Sequence, residues 1–374
     1  MTWHRVPAMA ALSLLLVGLS RAQTPRVVSP EVLSDRRVIV RFYAPQAREV
    51  RILFERGGNS LSKHENGLWE ATLGPLEPGS YRYGFSVDGA SVTDPSNIET
   101  ERMQVVTRSI LHVPGAEFMD EKNVPHGVIS VVTYYSTVLR KFRRFHIYTP
   151  PGYEANQQKY PVLYLLHGAN ESDQSWSTVG RAGFILDNLI ADRAAVPMIV
   201  VMPNGHVDQT PPNVAWGLPT SSPLALRGEL VEFAKEFATE IIPYVDSHYR
   251  TIADRPHRGI AGLSMGGMQT LNLAFADPQR FSAVGVFSSG ILVGSVPSWE
   301  QGHLAVLDKL AVKNGPKMIW VKTGSEDPFI GNTKATVEML KRHGFSVTFD
   351  ESTGGHSWVN WRNYLHEFAP RLFK

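Results

Sequence analysis

Ser264 stands in Gly262-Leu263-Ser264-Met265-Gly266, a spacing that suits a serine nucleophile. A GxSxG match is weak by itself in a chain with 31 glycines among 374 residues, so its surroundings decide. Arg258 to Ala261 reads as a short strand running in and Met268 to Ala276 as a helix running out, the strand-turn-helix setting of a nucleophile elbow. A bulky side chain at Gly262 or Gly266 would clash in so tight a turn and keep Ser264 from the top of the sheet. The helix N-terminus also brings backbone N–H groups to the place where negative charge develops. The chemistry implied is acyl transfer through a serine ester. The plainer alternative is a Gly/Ser turn that merely starts a helix.

A serine at neutral pH needs a base, and the base needs a carboxylate to hold its tautomer. Of the histidines after Ser264, His356 sits in the Gly-rich loop Gly354-Gly355-His356-Ser357-Trp358, directly after the strand Ser346 to Phe349. Loops at strand ends are where catalytic residues of such sheets lie. His343 precedes Gly344 at a helix end, where a cation serves the helix dipole, and His366 lies on an amphipathic helix; both read as structural. His303 is open. For the acid, the strand Lys317 to Val321 leads into Thr323-Gly324-Ser325-Glu326-Asp327-Pro328. Asp327 is the first choice and Glu326 the second, with Asp350 and Glu351 on the next strand as distant thirds. An oxyanion hole needs two N–H donors, one from Met265 after the nucleophile and one from the loop Leu165-Leu166-His167-Gly168-Ala169-Asn170, assigned to Ala169. Asn170, Trp176, Asn204, His206, Trp216 and Trp358 are the candidates for lining a substrate groove, although a Trp is more often core. No metal or cofactor is implied.

These residues must be positioned by more than one folded unit, since 374 residues exceed an ordinary compact domain. Hydrophobic residues at 43% and charged residues at 19% predict folding throughout. A net charge of +2 without a Lys/Arg block argues against a nucleic-acid partner. Residues 1–22 read as a signal peptide: Met1 to Arg5, the apolar run Ala8 to Leu19, then the small-x-small site Ser20-Arg21-Ala22. That run is too short for a membrane span, so a secreted or periplasmic protein with no membrane contact after cleavage is expected. Cysteine is absent, which removes disulfides and thiolate metal sites.

Residues 26–115 carry short β-rich runs with turns between them, among them Val38 to Tyr43, Val50 to Phe54 and Gly79 to Gly89. Tyr81, Tyr83, Phe85 and Val87 alternate onto one face, and Asp88-Gly89 marks a hairpin turn. The segment predicts an immunoglobulin-like β-sandwich domain. Residues 116–127 read as a linker. Over 128–374, apolar strands such as Val162 to Leu166, Met198 to Met202 and Lys317 to Val321 alternate with helices such as Leu230 to Tyr249 and Lys334 to His343. That pattern is α/β, with a mostly parallel central sheet covered on both faces.

Glu240-Ile241-Ile242-Pro243-Tyr244-Val245, Tyr249-Arg250, Arg258 to Gly267, Gly354-Gly355-His356 and Tyr148-Thr149-Pro150-Pro151-Gly152-Tyr153 together resemble the esterase D and feruloyl esterase group, carbohydrate esterase family 1. The resemblance runs from about Ser130 to the C-terminus. It implies an α/β-hydrolase domain and the triad Ser264, Asp327 and His356. Tyr43-Ala44-Pro45, Gly67-Leu68-Trp69, Pro75 to Tyr83, Val87-Asp88-Gly89 and Asp94-Pro95-Ser96-Asn97 resemble carbohydrate-binding module family 48. Where glycan-binding members often carry an exposed Trp, this chain has Phe54 and Arg56, so Trp69 and Tyr83 are expected in the core and the sandwich is expected to shape one wall of the site.

The function implied is a secreted serine carboxylic-ester hydrolase, a feruloyl or acetyl-xylan esterase. Its partner would be a feruloylated or acetylated plant polysaccharide or oligosaccharide. Siderophore (enterochelin-type) ester hydrolysis and acyl transfer to another acceptor are the enzymatic alternatives. A catalytically inactive carbohydrate-binding protein is the alternative of another class.

Overall fold

The computed structural model describes residues 26–54, 57–207, 223–310 and 315–374. The signal peptide expected at 1–22, Arg56 and Trp216 lie outside the described residues. Among the described residues no helix is long and apolar enough to cross a membrane.

Among the described residues the N-terminal part holds ten strands: β1 Glu31–Val32, β2 Val38–Tyr43, β3 Val50–Phe54, β4 Gly57–Ser60, β5 Ser62–Lys63, β6 Leu68–Leu73, β7 Gly79–Val87, β8 Ala90–Val92, β9 Thr100–Arg102 and β10 Thr107–Val113. They form one antiparallel sheet of order β1-β2-β6-β5 and a second of order β4-β3-β7-β10-β9, with β8 paired to β7. Alternate residues of each sheet turn inward, so Val38, Val40 and Phe42 meet Ile52, Phe85 and Leu111 in one shared core. Asp88 and Gly89 both take positive φ, 48° and 89°, as the tight hairpin between β7 and β8 requires. Trp69 and Tyr83 are buried. Asp94 and Asn97 are structural: both bind the Tyr83 hydroxyl, at 2.8 and 3.0 Å.

Residues 116–127 form no strand or helix, but they are docked onto the C-terminal part of the chain. Met119 is 1% exposed inside that part's core, and Asp187 receives both His126 Nδ1 and the Gly127 N–H at 2.9 Å.

The central sheet has eight strands: β11 Val128–Ser136, β12 Lys141–Thr149, β13 Val162–Leu166, β14 Ile199–Pro203, β15 Arg258–Leu263, β16 Ala283–Phe287, β17 Met318–Gly324 and β18 Val347–Ser352, in the order β11-β12-β14-β13-β15-β16-β17-β18. From β14 to β18 every pairing is parallel. The sheet is mixed, because β11 and β12 form an antiparallel hairpin that pairs antiparallel with β14. A parallel pair needs a crossover of a dozen or more residues, and the short turn between Ser136 and Lys141 leaves room only for reversal.

β13, β15 and β16 are buried along their whole length. Successive residues therefore feed opposite cores: Tyr164 and Ile260 face one, Leu165 and Ala261 the other. Helices α1 Ala182–Ala191 and α7 Trp358–Phe368 cover the second core. The first is covered by α2 Pro223–Glu236, α3 Ile242–His248, α4 Met265–Ala276, α5 Val296–Leu310 and α6 Ile330–Arg342. A π-helical turn at Phe237–Ile241 joins α2 to α3 just before Pro243, whose nitrogen has no hydrogen to give.

Arg143 on β12 grips Glu236 at the end of α2 through Nε and Nη2, at 2.9 and 3.1 Å, and the Tyr134 hydroxyl of β11 adds a bond at 2.8 Å. The two charged side chains are 6% and 0% exposed. Glu236→Ala leaves the guanidinium buried with only the His206 and Asn204 carbonyls and no counter-charge from Glu236, so denaturant unfolding should show a loss of about 3–5 kcal/mol. A loss under about 1 kcal/mol, the scale of an exposed pair, would contradict this account.

Candidate active site

Ser264 is the hinge between β15 and α4, with φ 51° and ψ −118°. A non-glycine residue pays for positive φ, and the surroundings hold this one. Its N–H donates to Phe287 O at 2.9 Å, and its carbonyl accepts from the Gly267 and Met268 amides and the Ser289 hydroxyl. A Cβ on Gly262 would lie 2.3 Å from Gly266 O, and one on Gly266 would lie 2.5 Å from His167 O. Both glycines are therefore required by backbone crowding.

His356, between β18 and α7, places Nε2 3.0 Å from Ser264 Oγ and Nδ1 2.9 Å from Asp327 Oδ2. A carboxylate only accepts, so Nδ1 carries the proton and Nε2 is left to accept from the serine. Phe329 and Trp361 meet the imidazole at steep angles, 62° and 87°, and fix its plane. The loop is closed by Asn360, whose amide donates to Thr353 O and Gly355 O at 3.1 and 2.9 Å.

Asp327 follows β17, and its side chain is fully buried. Burial pushes its carboxyl up, but the hydrogen bond and charge of His356 and the Phe329 N–H outweigh this and hold it below the ordinary 3.8. The Phe329 bond is 2.8 Å. Glu326, the second choice, is exposed and gives its backbone N–H to Gly354 O. Asp350 and Glu351 are exposed too, and Glu351 pairs with Lys334. His303 stacks on Trp299, His343 bonds Glu300, and His366 packs on Phe118, all away from Ser264.

Met265 is the first residue of α4, so its N–H has no partner one turn back in the helix. Ala169 lies in the turn after β13 beside Gly168, where a Cβ would sit 3.4 Å from Ser264 Cβ. His167 braces this turn: Nδ1 meets Gly168 O at 2.8 Å and Nε2 accepts the Gly205 N–H at 2.9 Å. Burial and the neighbouring His206 push its pKa down to about 3, so His167 is a neutral strut.

The groove candidates separate. Asn170 is exposed at φ 63° and Asn204 is half-buried beyond β14. Trp176 is 1% exposed with its indole N–H on Leu166 O at 3.0 Å, so it packs beneath the strand ends and does not line a groove. Trp358 is buried with its N–H on Glu171 at 2.9 Å, and His206 is buried against His167. Glu171, Asn360 and the bracing role of His167 were not read from the sequence. The HG dipeptide and the polar residue in the first turn after the Gly-rich loop were the available signals. Among the described residues no group of three or more His, Asp or Glu is placed to hold a metal ion.

Residues 136–372 match the family described as putative esterase. An endo-1,4-beta-xylanase/feruloyl esterase of Xylanibacter ruminicola is 34% identical over 359 residues, covering 92% of this chain and 46% of that protein. The chain thus spans less than half the length of that relative. Among solved structures, a ferulic acid esterase is 27% identical with a TM-score of 0.55, covering 66% of this chain and 98% of that chain. An enterobactin esterase of Shigella flexneri is 18% identical with a TM-score of 0.61, covering 90% of this chain and 93% of that one. At that identity the likeness is one of fold. The part with the eight-stranded sheet has the α/β-hydrolase fold of these esterases.

A carboxyl held below 3.8 stabilises the folded chain while ionised. Its contribution is fully present above the unfolded value and is lost as pH falls through the depressed folded one. The stability gap between the wild-type chain and Asp327→Asn should therefore be widest near neutrality and narrow as pH drops below 3.8. Thermal melts of both proteins across that range check this, and a constant gap would contradict it.

Proposed function

The chain belongs to the putative esterase family, and from that membership we propose that it is an exported serine carboxylic-ester hydrolase removing feruloyl, or acetyl, groups from plant arabinoxylan. The observation that carries this reading is the unbroken hydrogen-bond line Ser264–His356–Asp327, at 3.0 and 2.9 Å, across the ends of β15, β18 and β17. The feruloyl esterase relative supports the choice of acyl group, and the leader expected at 1–22 supports export.

Ser264 Oγ attacks the ester carbonyl while His356 Nε2 takes its proton, and the charge then on the imidazole is balanced by ionised Asp327. The Met265 and Ala169 amides receive the oxyanion. His356 returns the proton to the departing sugar oxygen, leaving an acyl-enzyme. Water, deprotonated by the same His356, releases the acid and restores Ser264. Residues 26–115 enter this reading as an immunoglobulin-like module resembling carbohydrate-binding family 48, and residues 128–374 as the catalytic domain.

Feruloylated xylo-oligosaccharide, methyl ferulate, 4-nitrophenyl acetate and a ferric catecholate ester, offered to the purified protein, separate the choices. Ferulate release is expected, with kcat falling by roughly 10⁴-fold or more in Ser264→Ala. Cleavage of the acetate without ferulate release would reassign the acyl group, and preference for the catecholate ester would sink the xylan reading. Identical activity in wild type and Ser264→Ala would sink the nucleophile.

A further inference from the structure

Glu171 lies in the turn after β13, two positions beyond Ala169, and is buried. Its Oε2 accepts the Gly168 N–H at 3.1 Å and its Oε1 the Trp358 indole N–H at 2.9 Å. Gly168 adjoins the proposed oxyanion donor, and Trp358 stands two positions past His356. Trp358 also packs on Trp361 at 5.2 Å, which packs on the His356 ring at 4.9 Å. One carboxylate therefore holds the loop that would bind the oxyanion and the loop that carries the base.

The counter-charge comes from the other end of the chain. Arg82 on β7 reaches Glu171 Oε1 with Nη1 at 3.1 Å, and its guanidinium lies 5.4 Å from the Trp358 ring centre. Its remaining face is locked by Glu101 of β9, at 2.6 Å from Nη2 and 3.1 Å from Nε. Glu101 in turn accepts from the Ser175 and Thr178 hydroxyls at 2.6 and 2.7 Å. The Arg82, Glu101 and Glu171 side chains are 12%, 0% and 6% exposed.

We propose that Arg82 is a positioning residue for the catalytic centre, its guanidinium fixing Glu171 as the shared anchor of the oxyanion loop and the histidine loop. The inference rests on the esterase reading and assigns part of that site to the N-terminal sheets. The charged groups facing Glu171 are Arg82 from β7 and Glu101 from β9, and α7 contributes the neutral Trp358 indole. Burial pushes the Glu171 carboxyl up, Arg82 opposes this, and Glu101 adds to it, so the carboxyl stands above its ordinary value even with Arg82 present. Removing Arg82 removes the cation that opposes burial and Glu101, so the carboxyl is pushed further toward its protonated form. In a carboxylic acid the protonated oxygen is a weaker acceptor, so one of the two N–H groups is bound less firmly and its loop is loosened.

Steady-state kinetics of the full chain on 4-nitrophenyl acetate, with melting temperature as control, test this. Arg82→Met should lower kcat by about 10- to 100-fold at neutral pH with KM little changed. Its kcat should recover as pH rises, over a range shifted to higher pH than any corresponding limb of the wild type, because the cation that favours the ionised carboxyl is gone. Arg82→Lys, which keeps the charge but not the fork, should fall between the two. Unchanged kcat in either folded variant overturns the proposal, and so does a loss that tracks melting temperature at every pH. If Arg82→Met does not fold, Glu171→Gln is read by its kcat relative to its melting temperature alone, because a carboxamide does not ionise. Its carboxamide offers one oxygen where two are now used, and unchanged kcat there also overturns the proposal. A wild type that cleaves no ester refutes the esterase reading and this inference with it, whereas an active wild type with unaffected variants refutes the inference alone.

Discussion

The backbone at Ser264 is the constraint on which the site depends. A serine held at φ 51° is costly, on the order of 1–3 kcal/mol. The same turn lifts the hydroxyl clear of the sheet and starts α4 in one step. The neighbouring strands end close to one another, with β17 and β18 running slightly further. Leu166 pairs with Gly262, Leu263 with Phe287, Phe287 with Lys322, and Gly324 with Ser352. With those ends aligned, the loops carrying Ala169, Ser264, Asp327 and His356 emerge together. A slip of one residue would send every second side chain to the opposite core.

Around that level the charge balance is set by donors, since burial alone would push every carboxyl up. Asp327 has His356 and a backbone amide and stays low. Glu101 has most of the Arg82 fork and two hydroxyls and stays low as well. Glu171 shares the same guanidinium with Glu101, has two neutral N–H donors, and is raised. One arginine divided between two buried carboxylates thus leaves unequal shares, and the poorer share falls on the group that touches both loops. Buried charge of this kind is held by geometry, because loss of one partner strands the other.

Ser264, Asp327 and His356 were legible because each sits at a strand end marked by glycine, and glycine spacing is a local property of the sequence. The braces were not. Glu171 is separated from Arg82 by 89 positions and from Trp358 by 187, and a lone Glu in a polar turn reads as a solvated residue. Trp176 misled for the same reason: a Trp in a loop gives no local sign that it folds back under Leu166. The antiparallel edge was hidden by the strength of the parallel pattern that follows it. α4 begins at Met265, against an expected Met268, because the nucleophile turn contributes its own first helical residues. The apparent linker at 116–127 lacks periodicity, yet Met119 is core; burial without secondary structure leaves no period to detect.

The family match begins at residue 136, so Arg82 and Glu101 lie outside what it describes. The contacts across that boundary are those of a fixed joint. Arg362 on α7, 2% exposed, donates to Ser80 O on β7 and Val179 O at 2.9 Å each. Gln104 gives its N–H to Asn170 O, and the Ser172 hydroxyl bonds Arg102 O. The tip between β9 and β10 is thereby set beside the loop holding Ala169, with Val105 53% exposed on it. Each contact spends backbone or buried polar groups that would need water if the parts separated, so a rigid arrangement is the one that satisfies them. The β9–β10 tip and the loop holding Ala169 therefore form one continuous surface drawn from both parts of the chain.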